Sequence, residues 1–99
     1  MTNKISQTNS DCLAKLFKVL SNNTRIDILC FLKKKESPVN EIAKGLNLSQ
    51  SAVSHQLKYL KEAEIIKSRR EGQLIYYSLV NNHIYQAIVH GHQYLNKQK

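Results

Sequence analysis

The segment from Leu48 to Leu60 constrains the fold of this chain more than any other part of its sequence. Its first residues are small and polar, which is typical of a turn followed by the cap of a helix. Val53, Leu57 and Leu60 then recur at helical spacing, so they form one apolar stripe that can pack into a core. The polar residues left on the front of this helix are Ser49, Gln50, Ser51, Ser54 and His55. This pattern is typical of a helix that reads base edges in DNA, with a plain solvated amphipathic helix as the alternative.

The residues upstream predict the first half of a helix-turn-helix. Residues 39–47 carry apolar side chains at the spacing of a short one-faced helix. We expect Pro38 in the first turn of this helix, where the missing N–H costs little. Gly45 and Asn47 near its end favour a turn, so a helix, a turn and a second helix follow one another.

The residues downstream predict a β-hairpin. Residues 65–70 and 73–79 are rich in β-branched and aromatic side chains, and a turn signal at residues 71–72 separates them. An isolated hairpin is marginally stable, so this one must pack against the helices as a wing. The first strand of the wing carries two adjacent arginines, Arg69 and Arg70.

Three more helices complete a mainly α fold with a small β-hairpin, in the order α-α-α-α-β-β-α. The first is predicted to begin at Asp11, and the second, at residues 25–34, has almost no polar face and therefore lies at the centre. The last runs from His83 to about Leu95. Residues 1–10 are polar and unpatterned, which predicts a flexible N-terminal arm, and residues 11–99 form a single domain.

Composition narrows the class of partner. The 99-residue chain has a formal net charge of +8, which favours a polyanion such as nucleic acid. No apolar stretch is long enough to span a bilayer and no signal-peptide pattern opens the chain, so we expect no membrane partner and a cytoplasmic location. The 7 acidic residues are scattered, without a phosphate-binding loop, a metalloprotease motif or a nucleophile elbow, so we expect no enzyme.

In such a fold the front of the recognition helix is expected to contact base edges. Gln50 is the best candidate, because its amide can bind a base with two hydrogen bonds. Other side chains are expected to hold phosphates or enter the minor groove: Lys58, Lys67, Arg69, Arg70 and Gln73. These contacts set affinity and its salt dependence, and the alternative for each lysine is a solvated surface position.

The sequence from Leu48 to Leu57, within this order of elements, closely resembles the ArsR/SmtB family of winged-helix repressors. Residues 20–22 with 24–29 resemble that family's entry into its second helix, and residues 72–73 with 76–79 resemble its wing. The resemblance implies a homodimer joined through the first and last helices. Such a dimer binds a twofold-symmetric operator in double-stranded DNA, with recognition helices about 34 Å apart, and releases it when an inducer binds.

One branch of that family senses oxidants or sulfur through a bridge between a cysteine on the second helix and one on the last. Cys30 matches the first position, but the last helix has no cysteine. Cys12, at the start of the first helix, could replace it if the two α-carbons approach within about 7 Å. Thiol oxidation or persulfidation is therefore the slightly favoured inducing signal, and Cys30 as an ordinary core residue is the alternative.

Zinc is the alternative cofactor, because relatives that bind it use an Asp-x-His near the start of the last helix and two later histidines. Here residues 81–83 read Asn-Asn-His, and asparagine is a poorer ligand than the carboxylate it replaces. His90 and His92 point about 200° apart on a helix, whereas His83 and His90 share a face. His83 and His90 are therefore the candidate metal ligands. A repressor without a ligand and a winged helix that binds only proteins are further alternatives.

Overall fold

The computed structural model describes residues 7–97, which form five helices and three strands. In chain order they are α1 (Gln7–Val19), α2 (Asn23–Lys34), β1 (Ser37–Pro38), α3 (Val39–Leu46), α4 (Gln50–Glu62), β2 (Ile66–Glu71), β3 (Leu74–Leu79) and α5 (His83–Lys97). The predicted succession of two helices, a helix-turn-helix, a wing and a final helix is confirmed. The main differences from the prediction are the start of α1, the position of Pro38 and the presence of β1.

The first helix begins at Gln7 rather than at Asp11. Asn9 and Ser10 are exposed and helical, so this part of the predicted arm belongs to α1. Apolar periodicity could not detect this turn because it contains no apolar residue, yet extending an existing helix gains one hydrogen bond for each residue added. The rest of the predicted arm, residues 1–6, lies outside the described residues.

The core lies between α2, α3, α4 and the base of the wing. Ile28 and Leu29 of α2 are completely buried, as expected for the central helix. Val53, Leu57 and Leu60 of α4 are at most 1% exposed, which confirms the apolar stripe predicted for the recognition helix. The buried apolar cluster consists of Val19, Ile28, Leu29, Leu32, Ile42, Ala43, Val53, Leu57, Leu60, Ile65 and Ile66.

The strands form one antiparallel sheet in the order β1-β3-β2. β2 and β3 are the predicted wing, and their turn follows Glu71, with Gly72 in the left-handed region at φ 64°. β1 was not predicted. Pro38 pairs with Tyr76 of β3 and has extended backbone at φ −81° and ψ 167°, so it precedes α3 rather than occupying its first turn. A proline cannot donate to a ladder, and β1 is at the sheet edge, where this loss is tolerated.

Both terminal helices leave apolar side chains in solvent. Phe17 of α1 is 58% exposed, and Tyr94 and Leu95 of α5 are 63% and 59% exposed. Ile84 and Ile88 on α5 pack against the core, but no residue of α5 is fully buried. Each terminal helix therefore has an apolar face that the rest of the protomer does not cover. No helix between residues 7 and 97 is long and apolar enough to cross a membrane.

Candidate nucleic-acid interface

The turn between α3 and α4 fixes where the recognition helix starts. Asn47 ends α3 in the left-handed conformation, at φ 56° and ψ 49°, which asparagine tolerates better than most residues. The Leu48 N–H donates to the Ala43 carbonyl at 2.9 Å, so the last turn of α3 is satisfied. The Ser49 hydroxyl then accepts a hydrogen bond from the Ala52 N–H at 3.1 Å and caps α4.

The predicted contact residues of α4 lie on its exposed front, opposite the buried stripe. They are Gln50, Ser51, Ser54, His55 and Lys58. The Ser49 and Ser51 hydroxyls lie 3.3 Å apart, so two hydroxyls meet at the start of the helix. Within residues 7–97, no hydrogen bond or ion pair engages the side chains of Gln50, Ser54, His55 or Lys58. This surface is available to an external partner, while the back of the helix is fixed in the core.

Arg69 of the wing, in contrast, is bound inside the molecule. Its Nε and Nη2 atoms donate to the two carboxylate oxygens of Glu36 at 2.9 and 2.7 Å. Its Nη1 atom donates to Glu71 at 2.6 Å, and the guanidinium lies over the Tyr76 ring, 4.9 Å from its centroid. Two carboxylates therefore compensate this charge. Tertiary folding thus brings Glu36 to the wing, and the phosphate contact predicted for Arg69 stays a prediction.

These contacts shift the titration of both partners. The hydrogen bond from Arg69 holds the pKa of Glu36 below its ordinary value. The hydrogen bonds to Glu36 and Glu71 raise the pKa of Arg69 further above its already high value. Both shifts favour the charged forms, which are also the ordinary forms of these groups at neutral pH, so the ion pair links the wing to the segment before β1.

Arg70 projects from the other side of β2, because side chains alternate along a strand. Its Nε atom donates to the Gly72 carbonyl at 3.1 Å, and no carboxylate of residues 7–97 pairs with it. Gln73 is exposed beside it in the turn. Leu74 and Ile75 at the tip are 45% and 43% exposed. The wing tip thus presents one uncompensated arginine and one amide to solvent.

Sequence reasoning missed Arg25, in the first turn of α2. Its Nη1 atom donates to the Gln56 side-chain oxygen at 3.2 Å, and its guanidinium lies 4.1 Å from the centroid of the Tyr59 ring. Its Nε atom donates to the Val19 carbonyl at 2.6 Å. The sequence did contain one indication of its role. A basic residue in the first turn is unfavourable with respect to the helix dipole, so its presence suggests a contact outside its own helix.

The two candidate sensor thiols line different cavities. Cys12 is exposed and lines a cavity of about 630 Å³ between α1 and the end of α4. Cys30 is half-buried and lines a separate cavity of about 400 Å³ between α2 and α3. Both are free, and burial, with a smaller effect of the Asp27 charge, raises the pKa of the Cys30 thiol. Since the thiolate is the reactive form, this shift makes Cys30 less reactive than an ordinary thiol.

The candidate metal ligands His83 and His90 are both exposed on α5. Within the described part of one protomer, no three metal-ligating side chains come together. The side chain of Asn81 accepts a hydrogen bond from the His83 N–H at 3.0 Å. This asparagine therefore caps the start of α5.

Comparison with known proteins gives a consistent result. Residues 22–68 match the family described as bacterial regulatory protein, arsR family. The transcriptional repressor SdpR of Bacillus subtilis is 39% identical over 83% of this chain and 91% of its own length. A transcriptional repressor SmtB homolog of Synechocystis is 38% identical over 73% of this chain, which spans only 54% of that protein. The structure of reduced HlyU from Vibrio cholerae superimposes with a TM-score of 0.79 at 33% identity, over 88% of this chain and 92% of that one.

Proposed function

The chain belongs to the arsR family of bacterial regulatory proteins, and we propose that it is a sequence-specific DNA-binding repressor of transcription. The observation that carries this proposal is the front of α4, where Gln50, Ser54 and His55 are exposed and engage no partner within residues 7–97. Reading base edges requires free donors and acceptors on a helix of fixed orientation. The buried stripe on the back of α4 supplies that orientation.

Affinity for the phosphate backbone comes from the basic residues around this surface. Lys58 on α4 and Arg70 at the wing tip carry charges that no carboxylate of residues 7–97 compensates, and Gln73 adds an amide donor. The net charge of +8 favours an extended polyanion such as DNA as the partner. A protein that acts on the bacterial chromosome works in the cytoplasm, where we place it.

A second copy of the chain completes the DNA-binding unit. The terminal helices expose Leu13 and Phe17 on α1 and Tyr94 and Leu95 on α5, and removing such apolar surface from water favours association. A twofold dimer through α1 and α5 would present two α4 helices to successive major grooves, about 34 Å apart. The operator that such a dimer reads is a pseudopalindrome in double-stranded DNA.

Selection of duplexes from a random-sequence library by the full chain tests this proposal. We expect a twofold-symmetric sequence bound by two chains, with an affinity that falls with salt at a log–log slope of about −0.9 for each phosphate contacted. Placed in a promoter, the selected sequence should lower reporter expression when the protein is present. A library without enrichment, or a flat salt dependence, would overturn the proposal and leave a winged helix that binds proteins as the alternative.

For the inducing signal we propose oxidation or persulfidation of a thiol, with Cys12 reacting before Cys30. The exposure of Cys12 and the raised pKa of the half-buried Cys30 support this order. In persulfidation, a thiolate attacks a sulfur of a polysulfide and displaces a shorter polysulfide thiolate. Because the two thiols line different cavities, this proposal does not require a bridge between them.

The signal is tested by measuring DNA affinity before and after an organic polysulfide, and again after a reductant. We expect affinity to fall and then recover, with Cys12→Ser insensitive and Cys30→Ser responding as the natural chain does. If the polysulfide has no effect, zinc is the next compound to add. A zinc response that His83→Gln and His90→Gln each abolish would favour a metal sensor whose remaining ligands come from the second copy.

A further inference from the structure

Arg25 is not among the residues proposed to contact DNA, but its contacts bear on how α4 is held in the protein. We infer that Arg25 is a positioning residue, which fixes the orientation of α4 and links it to the end of α1; the inference rests on the proposed DNA-binding function. Three groups from two other elements converge on this one guanidinium: the Val19 carbonyl, the Gln56 side chain and the Tyr59 ring.

On the α4 side, the contacts restrain rotation of the recognition helix. Gln56 and Tyr59 are three residues apart and therefore lie on the same side of α4. Apolar packing of Leu57 and Leu60 sets how deeply the helix lies in the core, but such packing is weakly directional. A planar guanidinium that stacks on a ring and donates along one direction is strongly directional. Arg25 therefore adds the angular control that base reading needs, which is about 10–20° in a working site.

On the α1 side, Arg25 satisfies a carbonyl at the helix end. The last carbonyls of a helix have no donor within it, and the Val19 carbonyl accepts from Arg25 Nε at 2.6 Å. The positive guanidinium also lies at the negative end of the α1 dipole. The apolar side chains that attach α1 to the core are Leu16 and Val19 in its last turn and Leu20 directly after it. Arg25 thus joins α4 to the anchored end of the helix whose exposed face we assign to the dimer.

Two observations separate this role from a phosphate contact or a local helix contact. The backbone N–H of Arg25 donates to the side chain of Asn22, which caps α2, so the backbone of Arg25 is held in place. The residue is also half-buried. A basic side chain in the first turn opposes the dipole of α2, so α2 alone gains nothing from it. The half-buried guanidinium faces other elements of the protein, unlike the exposed Lys58 on the front of α4.

Substitution of Arg25 tests the inference, with Lys58 as the matched control. Arg25→Lys keeps the charge but loses the planar fork and the stack, and Arg25→Gln removes the charge. We expect both variants to bind the selected duplex about tenfold more weakly, the effect of losing one base contact, while affinity for a scrambled duplex and the salt slope stay the same. Lys58→Gln should weaken both duplexes alike and make the slope shallower by about 0.9.

Substitutions of Tyr59 test the inference independently if circular dichroism shows that the Arg25 variants do not fold. Tyr59→Leu should reproduce the loss of specificity, and Tyr59→Phe should not, because the contact uses the ring face. The Arg25→Lys, Tyr59→Leu double variant should bind within about twofold of the weaker single variant, as expected for one shared interaction.

Other results would overturn the inference. An Arg25→Gln variant that weakens both duplexes equally and loses about 0.9 of slope would show a phosphate contact instead. Natural specificity in Arg25→Lys or in Tyr59→Leu would remove the positioning role. The natural chain is measured first, and if it does not prefer the selected duplex, the proposed function fails and the inference falls with it.

Discussion

The recognition helix and the wing present residues to the same proposed partner but are held in place by different forces. α4 is held from behind by Val53, Leu57 and Leu60, which are at most 1% exposed. The outer half of the wing has little buried surface, and a surface ion network holds it through Arg69, Glu36 and Glu71.

This difference decides which polar groups remain free. On α4 the apolar back provides the stability, so the front side chains need no partner within the protein. On the wing the anchor is itself an arginine. One of the two adjacent basic residues therefore holds the hairpin and has its charge compensated within the protein. Arg69 and Arg70 are neighbours in sequence with opposite surroundings, and we assign them different roles.

The largest effect should come from the back of α4. Leu57→Ala should lower the free energy of unfolding by about 2–5 kcal/mol, because the buried side chain leaves a cavity. Leu74→Ala at the exposed wing tip is the control and should change it by less than about 0.5 kcal/mol. Urea denaturation measures both. Similar losses in the two variants would mean that the wing tip is as tightly packed as the helix.

The next effect concerns the front of α4. Gln50→Ala should leave stability unchanged and cost about 1–3 kcal/mol of discrimination at one base position in each half-site. Fluorescence anisotropy with duplexes changed at single positions measures this, and Gln86→Ala, exposed on α5, is the matched control. If Gln50→Ala weakened all duplexes alike, Gln50 would hold phosphate rather than read a base.

A smaller effect should distinguish the two wing arginines. Arg70→Gln should make the log–log salt slope of DNA binding shallower by about 0.9, since a phosphate contact is lost. Arg69→Gln should leave the slope unchanged, because two carboxylates already compensate its charge. Equal changes would contradict the division of roles and would mean that Arg69 leaves Glu36 when DNA binds.

The smallest effect is a shift in titration. The pKa of Glu36 is depressed in the folded protein, chiefly by the hydrogen bond from Arg69, so the stabilisation from this link is present above the ordinary value of 4.5. It is lost as the pH falls through the depressed folded-state pKa. Carboxyl carbon NMR of Glu36 should show this low pKa, and Arg69→Gln should return it towards 4.5. An unshifted Glu36 in the natural chain would argue against a persistent ion pair in solution.

Most of the fold was predictable because its elements are defined by local patterns. The apolar stripe of residues 53, 57 and 60 predicted which side of α4 is buried, and Ser49 predicted where it starts. The strand β1 was not predictable in this way, because two residues carry no periodicity and pair only with the distant β3. The start of α1 was missed for the related reason that an all-polar turn shows no stripe.

The candidate site shows the same difference between features set by local patterns and features set by tertiary contacts. Exposure of the α4 front follows from periodicity, so the sequence predicted that Gln50, Ser54 and His55 are exposed, and their contact with DNA stays a prediction. Whether a charged side chain is free depends on which others fold beside it. Arg69 meets Glu36 across 33 positions of the chain, and Arg25 meets Gln56 across 31.

The sequence by itself determined the order of the five helices and the wing, the buried side of α4 and the exposed polar front of that helix. It could do so because side-chain spacing and local backbone preference act within a few residues. Only the tertiary structure decided that Arg69 is an anchor, that Arg70 is uncompensated, that Arg25 links α1 to α4 and that the two thiols line different cavities. Each of these depends on distances between segments remote in sequence, and such distances are fixed only when the core packs.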